Sequence, residues 1–374
     1  MPGAAPAWLI NMLVYLGVYI WGCLVLSSIP HIKIKQRKTS VIIGIMMVIV
    51  PIIIICAMRG NVGTDTQRIY YPYYLRYIKG DTAYFGKELG FYYFNIATSY
   101  LYDSYNGLLF CVATLLCILY VYSSVRDKIL KDNAVLVYTG LFCIFFAPSL
   151  NIMRQSIACA IFFLTYRFIF EGKFIRYLIA IIIATLFHTS AILLLPLYFV
   201  YQFIKGKNIG IKSTLVVFGC VVLIFVFPVL FEGMTKIQLF EKYTMNYSSL
   251  LNFNARWNKI IIRIPLYMVE LFTFINGRKK FATEPKTQFY LIGIVLEVVS
   301  LIFGFYMEWA FRLSYYFSLS HILYCSQYVT TIQSKRSKQI MTCVFIACFL
   351  IYFFIGHIRL GYDQIVPYEM YRYD

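Results

Sequence analysis

Long apolar stretches alternate with short polar segments along the whole chain. Most of them are long enough for a helix of about 20 residues to cross a hydrocarbon core of about 30 Å. Because backbone groups find no water inside that core, we expect the spanning elements to be helices. The pattern predicts an all-α polytopic membrane protein with about twelve transmembrane or half-membrane helices. The stretches run near 8–29, 40–58, 106–126, 133–150, 152–170, 174–187, 189–204, 213–231, 259–277, 288–306, 309–330 and 339–358.

The stretch from 174 to 204 departs from this pattern, because it is too long for one span and short for two. We predict two half-length or tilted helices that are broken near His188. The sequence shows no internal repeat that would mark a second domain. We therefore interpret residues 1–374 as a single membrane domain.

The net charge of +18 raises the question of a nucleic-acid partner, but the basic residues are not placed for one. Most of the 34 Lys and Arg residues lie in every second connection between apolar stretches. Short connections rich in Lys and Arg face the cytoplasm. Both termini and two large segments, 59–105 and 232–258, are then extracytoplasmic, and we expect no nucleic-acid binding. The basic connections are HIKIKQRK, RDKILKD, YRFIFEGKFIR, IKGKNIGIK, NGRKKFATEPK and QSKRSK.

Composition supports the membrane interpretation and limits the chemistry. Hydrophobic residues make up 61% of the chain and charged residues only 13%, which is more apolar than a soluble domain. All ten cysteines fall within apolar stretches, with no CxxC pair and no histidine spacing that suits zinc. We interpret them as small hydrophobic residues, and we expect neither a metal site nor a cofactor.

Several polar residues gather where apolar stretches end on the predicted outer side. Gly60 and Gly63 permit a tight, non-helical turn that folds Asp65 back over a helix end. Arg154 has apolar neighbours on both sides, so its charge costs a few kcal/mol unless it meets an anion or lines a wet cavity. The candidates on this face are Arg59, Asp65, Arg68, Tyr70, Arg154, Gln155, His188, Arg256 and Arg312.

Each candidate also has a structural interpretation. Arg59, at a membrane exit, can extend its charge to the lipid headgroups, and Tyr70 can belong to an aromatic belt. A single histidine at a helix break, such as His188, is more often structural, with Thr189 or Ser190 capping the next helix. In a cavity that also holds an arginine, the same histidine becomes a candidate base.

Two carboxylates, Glu270 and Glu297, lie inside predicted spans. A charge inside a membrane protein is tolerated when it is paired. We therefore expect both to be structural and to pair with Arg263 or Arg312 across a helix interface.

An arginine cluster at the outer surface suggests a ligand with phosphate oxygens, because guanidinium forks match phosphate geometry. No cytoplasmic nucleotide is available on that side. A lipid-linked pyrophosphate, with its tail in the bilayer and its sugar outside, is the natural anionic ligand there. Tyrosines of the first outer segment can supply aromatic faces for sugar rings.

Several segments, in their order and spacing, resemble those of the EpsG-type, Wzy-like polysaccharide polymerases. They reach from Arg59 to Tyr368 and read RGNVGTDTQRIY, KELGFYYFNIATSYL, NIMRQSIACAIFFLTYRFIFEGKFIRYLIAIIIATLFHTSAILLLPLYFV, AFRLSYYF and the terminal VPY. The resemblance implies a bacterial inner-membrane enzyme that joins O-antigen, capsule or exopolysaccharide repeat units on undecaprenyl pyrophosphate at the outer face. It also implies an architecture similar to metal-independent GT-C glycosyltransferases, with membrane lipid and a chain-length regulator as candidate partners. Residues 232–258 are not among the segments that carry the resemblance.

The resemblance and the residues together suggest an inverting transfer in which the lipid pyrophosphate leaves. Arg154, with Arg59 or Arg312, would stabilise the charge that develops on the leaving phosphate. His188 is the first candidate for the base, because histidine exchanges protons near neutral pH. Asp65 is the second candidate. The predicted substrate contacts also include Arg68, Gln155, Arg256 and Tyr70.

Other functions stay open. A lipid-linked saccharide flippase or other transporter would also be a basic, many-helix protein, although transporters usually carry ionisable groups near the membrane midplane and an internal repeat. An outer-leaflet acyltransferase could use a histidine base but gives the arginines no role. An outer-leaflet ligase would share the chemistry of the polymerase and differ in its acceptor.

Overall fold

The structure, a computed structural model, describes residues 7–28, 37–80, 88–127, 129–235, 253–305 and 308–370. Nearly all of these residues are helical, and within these ranges there is no β-strand. One isolated β-bridge joins Arg59 to Met370. The prediction of an all-α polytopic membrane protein is confirmed.

The helices follow the predicted apolar stretches. The α-helices are α1 (Ala7–Ser28), α2 (Arg37–Met58), α3 (Tyr71–Ile78), α4 (Leu89–Leu101), α5 (Tyr105–Arg126), α6 (Leu130–Leu141), α7 (Ala147–Asn151), α8 (Met153–Phe170), α9 (Phe174–Phe187), α10 (Pro196–Ile204), α11 (Ile209–Thr235), α12 (Phe253–Ile261), α13 (Ile264–Phe281), α14 (Pro285–Phe303), α15 (Glu308–Phe317), α16 (Leu319–Thr331) and α17 (Lys335–Phe353). Short π-helical turns cover Thr66–Tyr70, Phe142–Phe146 and Phe354–Arg359, and 3₁₀ turns cover Thr189–Leu194 and Tyr362–Gln364.

Seven helical stretches in the described part of the chain are long and apolar enough to cross a membrane. They are Thr39–Met58, Tyr105–Arg126, Asn133–Asn151, Ile209–Val226, Trp257–Arg278, Pro285–Phe303 and Lys335–Arg359. Every predicted stretch coincides with helix, but 133–150, 259–277 and 309–330 are each divided between two α-helices. The division of 259–277 precedes Pro265, whose missing N–H favours the start of a new helix.

The chain forms two compact units. The first consists of Met1–Leu195 and Gln339–Asp374, and the second of Pro196–Lys338. The interpretation of residues 1–374 as one membrane domain stays a prediction, as does the extracytoplasmic position of 59–105 and 232–258. Most of the second of these segments lies outside the described residues.

Helix α8 lies at the centre of the first unit. It packs against α5 and α9, and α5 packs against α2. Residues on every side of α8 are buried, among them Ile157, Ala160 and Phe163. A helix that is apolar all round is a buried helix, which explains why residues 152–170 lack a polar face.

The second unit is built around α14, which packs against α11, α15 and α16 and holds buried charges. The Nδ1 atom of His321 lies 2.7 Å from Glu270 Oε1, and its Nε2 atom lies 2.7 Å from Glu297 Oε2. The Nε atom of Arg263 lies 3.2 Å from Glu297 Oε1. The predicted pairing of Glu297 with Arg263 is confirmed. Glu270 pairs instead with His321, which the sequence pattern did not single out.

The segment after α17 belongs to the first unit and contains a strained turn. Gly361, Asp363 and Gln364 have φ values of 67°, 64° and 48°. Residues other than glycine adopt such angles only when the surroundings hold them there. One such contact is the hydroxyl of Tyr15, which donates a hydrogen bond to the carbonyl oxygen of Ile365 at 2.7 Å.

Candidate functional site

The break between α7 and α8 is the centre of the candidate site. Ile152 leaves the helical conformation, with φ −102° and ψ 59°, and separates Asn151 from Met153. Arg154 therefore stands in the first turn of α8. The boundary predicted between the stretches 133–150 and 152–170 is confirmed as a helix break.

The loop after α2 lies against this break at a point where only glycine fits. Gly63 has a φ of +93°, and a Cβ atom there would lie 2.6 Å from the carbonyl oxygen of Leu150. Its N–H donates to the carbonyl oxygen of Gln364 at 3.1 Å, and the N–H of Gly60 donates to that of Glu369 at 2.7 Å. The predicted non-helical turn is confirmed, and the C-terminal segment holds it in place.

Asn151 joins this loop to the C-terminal segment. Its Oδ1 atom accepts hydrogen bonds from Thr64 Oγ1 at 2.8 Å and from the backbone N–H of Asp65 at 2.9 Å. Its Nδ2 atom donates to Asp363 Oδ1 at 2.9 Å. We call Thr64, Asp65, Asn151 and Asp363 the Asn151 cluster. The cluster fixes the backbone of Asp65 beside the helix break.

Arg59 is a buried cation beside the same break, with only 2% of its surface exposed. Its Nη2 atom lies 3.3 Å from Met153 Sδ, which is a weak acceptor. Among the residues that the structure describes, its Nε atom has no hydrogen-bond partner and no carboxylate pairs with it. A buried charge without a counterion is costly, so Arg59 is suited to bind an anion.

Glu88 joins two residues that lie far apart in the sequence. Its Oε1 atom lies 2.6 Å from His188 Nδ1, and its Oε2 atom accepts a hydrogen bond from Arg154 Nη1. The backbone N–H of Thr189 also donates to this carboxylate. We call Glu88, Arg154 and His188 the Glu88 cluster. His188 itself is extended, with φ −152° and ψ 116°, so the predicted break near this residue is confirmed.

The contact with Glu88 determines how His188 can act. A carboxylate at Nδ1 favours the tautomer that is protonated on that nitrogen and leaves a lone pair on Nε2. The Nε2 atom has no hydrogen-bond partner in the described part of the chain. His188 is therefore oriented to accept a proton at Nε2, and the Glu88 carboxylate would stabilise the imidazolium that results.

Tyr70 supports Arg154. The guanidinium carbon of Arg154 lies 5.6 Å from the centroid of the Tyr70 ring, within the range of a cation–π contact. The Tyr70 hydroxyl accepts a hydrogen bond from the backbone N–H of Arg154 at 3.4 Å. The ring is 2% exposed, so it holds Arg154 in position. The Nε atom of Arg154 finds no hydrogen-bond partner among the described residues, so this donor is unused.

The other predicted substrate contacts have different positions. Arg68 is exposed, Gln155 is buried in α8, and Arg312 belongs to the second unit. The side chain of Arg256 lies outside the described residues. Within the described ranges, no group of three or more His, Cys, Asp or Glu residues is arranged to hold a metal ion. The candidates that surround the break are Arg59, Asp65, Tyr70, Arg154, Gln155 and His188.

Glu88 is the main site residue that the sequence pattern did not select. The sequence feature that could have indicated Glu88 is a carboxylate immediately before an apolar helix, in the segment KELGFYYF. Asn151 and Asp363 were also missed. Asparagine at a helix end is common and predicts a cap or turn, so Asn151 gave no signal of a long-range contact.

A pH-dependent contribution of Glu88 to stability follows from its contacts. Burial raises the pKa of this carboxyl, but the hydrogen bond with His188 and the charge of Arg154 outweigh burial and lower the pKa below its ordinary value of 4.5. A carboxyl whose pKa is lower in the folded state stabilises that state at pH values above the pKa that the carboxyl has in the unfolded chain. This contribution to stability is lost as the pH falls through the pKa of the folded state.

We therefore expect Glu88→Gln to melt at a lower temperature than wild type at neutral pH, and the difference to shrink as the pH falls below 4.5. Melting in detergent across this pH range measures the effect. Glu369→Gln is the control, because the Glu369 side chain is exposed and should change the melting temperature little. A difference between Glu88→Gln and wild type that is constant with pH would contradict the assignment.

These features define a polytopic membrane protein with a carboxylate–imidazole pair next to two buried or half-buried arginines. A family model described as the EpsG family matches residues 14–370, and the chain therefore belongs to this family of Wzy-like polysaccharide polymerase-type proteins. No curated protein and no solved structure matches the chain. The resemblance found in the sequence is confirmed, and with it a polysaccharide polymerase-like role of the glycosyltransferase type in general.

Proposed function

We propose that this protein joins lipid-pyrophosphate-linked oligosaccharide repeat units by inverting, metal-independent glycosyl transfer at the outer face of a bacterial cytoplasmic membrane. The observation that carries the proposal is the shared carboxylate of Glu88, which contacts His188 on one oxygen and Arg154 on the other. This geometry supports a base and an anion-binding group in one place. Family membership supports a polysaccharide product.

The proposed step transfers the growing chain to a new repeat unit. The acceptor hydroxyl gives its proton to Nε2 of His188 while its oxygen attacks the anomeric carbon of the donor sugar. The bond from that carbon to the pyrophosphate breaks, and the lipid pyrophosphate leaves with the electron pair. Attack from the face opposite the leaving group inverts the anomeric centre.

The arginines would stabilise the leaving group. Arg154 has an unused Nε donor, and Arg59 has no counterion in the described part of the chain. Fixed cations that face a developing phosphate charge lower the barrier because they need no reorganisation during the reaction. We assign Tyr70 a positioning role under Arg154. Asp65 is the second candidate for the base, and Arg68 and Gln155 stay candidate substrate contacts.

The test is polymerisation in liposomes that contain the purified protein and lipid-pyrophosphate-linked repeat units. We expect wild type to give a ladder of products by gel and mass spectrometry. Arg154→Ala should lower the rate by about 10²- to 10³-fold, as the loss of one oxyanion donor typically does. Arg154→Lys should be nearly as impaired, because lysine cannot replace the fork geometry.

Arg167 provides the matched control, because it lies on the same helix and pairs with Glu171 near the other end of α8. Arg167→Ala should polymerise at close to the wild-type rate. A wild-type rate for Arg154→Ala would remove Arg154 from the site. If wild type leaves its substrate monomeric but moves it across the bilayer, the protein is a transporter and the proposal fails.

A further inference from the structure

An apolar cavity of about 120 Å³ lies between α2, α5 and the end of α6 in the first unit. Its wall includes Val48, Ile52 and Cys56 of α2 and Ala113 and Cys117 of α5. The rest of the wall includes further residues of α2 and α5, residues of α6 and the following π-helical turn, several of them aromatic, and Ser149 of α7. The lining is almost entirely apolar, so the cavity is suited to a hydrocarbon ligand.

The size of the cavity matches a short, branched hydrocarbon segment. An engineered apolar cavity of about 150 Å³ stays dry and accepts a ligand with six carbons. A cavity of 120 Å³ therefore has room for about one five-carbon unit of an isoprenoid chain. The rest of a longer chain would have to continue into the lipid.

The cavity wall continues into the candidate site. Cys56 lies in the last turn of α2, three residues before Arg59, which directly follows the end of that helix at Met58. On the opposite wall, Ser149 lies two residues before Asn151. The side chain of Asn106, near the start of α5, donates to the carbonyl oxygen of Ala57 at 2.6 Å and ties the end of α2 to α5.

The charge at this end of the cavity complements an anionic head group. Arg59 is buried, and among the described residues no carboxylate pairs with its charge and its Nε atom has no hydrogen-bond partner. An apolar cavity with a cation at one end fits an amphiphile that carries an anionic head on an apolar tail. Packing alone explains neither the cavity nor the buried cation, because each costs free energy. The residues that line the cavity lose dispersion contacts, and the Arg59 charge loses its hydration.

We propose that this cavity seats the first isoprenoid unit of the donor lipid, next to its pyrophosphate on Arg59. The inference rests on the proposed function and names the part of the chain that holds the lipid tail. Seating the tail here would bring the pyrophosphate to the helix break and to Arg154. The acyl chain of an ordinary phospholipid is the alternative occupant of the cavity. The first experiment distinguishes it from the isoprenoid chain.

The first experiment measures binding without turnover. The probe is undecaprenyl diphosphate without sugar, and dioleoyl phosphatidic acid is the control lipid with an anionic head and unbranched chains. Wild type should prefer the isoprenoid probe. Ala113→Phe fills the cavity and should weaken binding of that probe by about tenfold or more. Ile118→Phe is the matched control on the same helix, where the side chain is 55% exposed, and should bind as wild type does.

Equal binding of the two lipids to wild type, or an unchanged affinity of Ala113→Phe for the isoprenoid probe, would overturn the inference. A second measurement uses wild type only and does not depend on how a variant folds. A diphosphate with a photoreactive group on its first isoprenoid unit should label α2, α5, α6 or the π-helical turn Phe142–Phe146, which line the cavity. Labels confined to other parts of the chain would overturn the inference. Isoprenoid binding without polymerisation would instead contradict the proposed function and leave the cavity assignment standing.

Discussion

We expect His188→Gln to lower the rate of repeat-unit transfer by about 10²- to 10⁴-fold, the usual contribution of a general base. Glutamine keeps a side chain of similar length that can still contact Glu88, but it cannot accept the acceptor proton. Substrate affinity should change much less than the maximal rate, because the proposed proton transfer takes place only in the transition state. Liposome assays at varied substrate concentration separate the two quantities.

Glu88→Gln tests whether the pair acts as one unit. Since the Glu88 oxygen lies 2.6 Å from His188 Nδ1, the effects of Glu88→Gln and His188→Gln on the rate should be strongly non-additive. The double variant should then be about as slow as His188→Gln alone. If His188→Gln keeps a wild-type rate, His188 is not the base, and a large loss for Asp65→Asn would assign that role to Asp65.

His321→Ala should cause the largest loss of stability. His321 is 1% exposed, and each ring nitrogen contacts a different glutamate in the second unit. Removing one partner from a buried charge network costs about 3–5 kcal/mol, because the remaining charges lose their compensation. We expect a large fall in melting temperature in detergent, with Glu270 and Glu297 left close to each other without the histidine between them.

Two further variants show whether charge is the cause. Thr330→Ala removes an exposed side chain from the same helix and should be within about 0.5 kcal/mol of wild type. Glu270→Gln combined with His321→Ala removes one of the uncompensated charges and should be more stable than His321→Ala alone. A double variant that is less stable than the single one would mean that lost packing, not charge, determines the effect.

The helices were predictable because apolar length is a local property of the sequence. The break at His188 followed from a stretch of unsuitable length, and Arg154 stood out because its charge lies between apolar neighbours. Gly60 and Gly63 correctly indicated a non-helical turn. Each of these inferences uses residues that are close together in the chain.

The partners of the charged residues were not predictable in the same way. Glu88 is 66 residues from Arg154 and 100 from His188, so no local pattern joins the three. The prediction for Glu297 succeeded because charges inside a membrane need partners and few basic residues lie near the predicted spans. The partner of Glu270 was missed because the charge state of His321, a histidine in an apolar stretch, cannot be inferred from the sequence.

The contacts of the C-terminal segment have a consequence for biosynthesis. Asn151 bonds to a residue 212 positions later, and the hydroxyls of Tyr15 and Tyr368 form bonds that span 350 and 313 positions. Synthesis proceeds at about 5–20 residues per second, and early parts of a chain fold first. The loop that carries Asp65 therefore has to wait for the last part of the first unit to leave the ribosome. Until then the protein has its membrane helices but not its finished site.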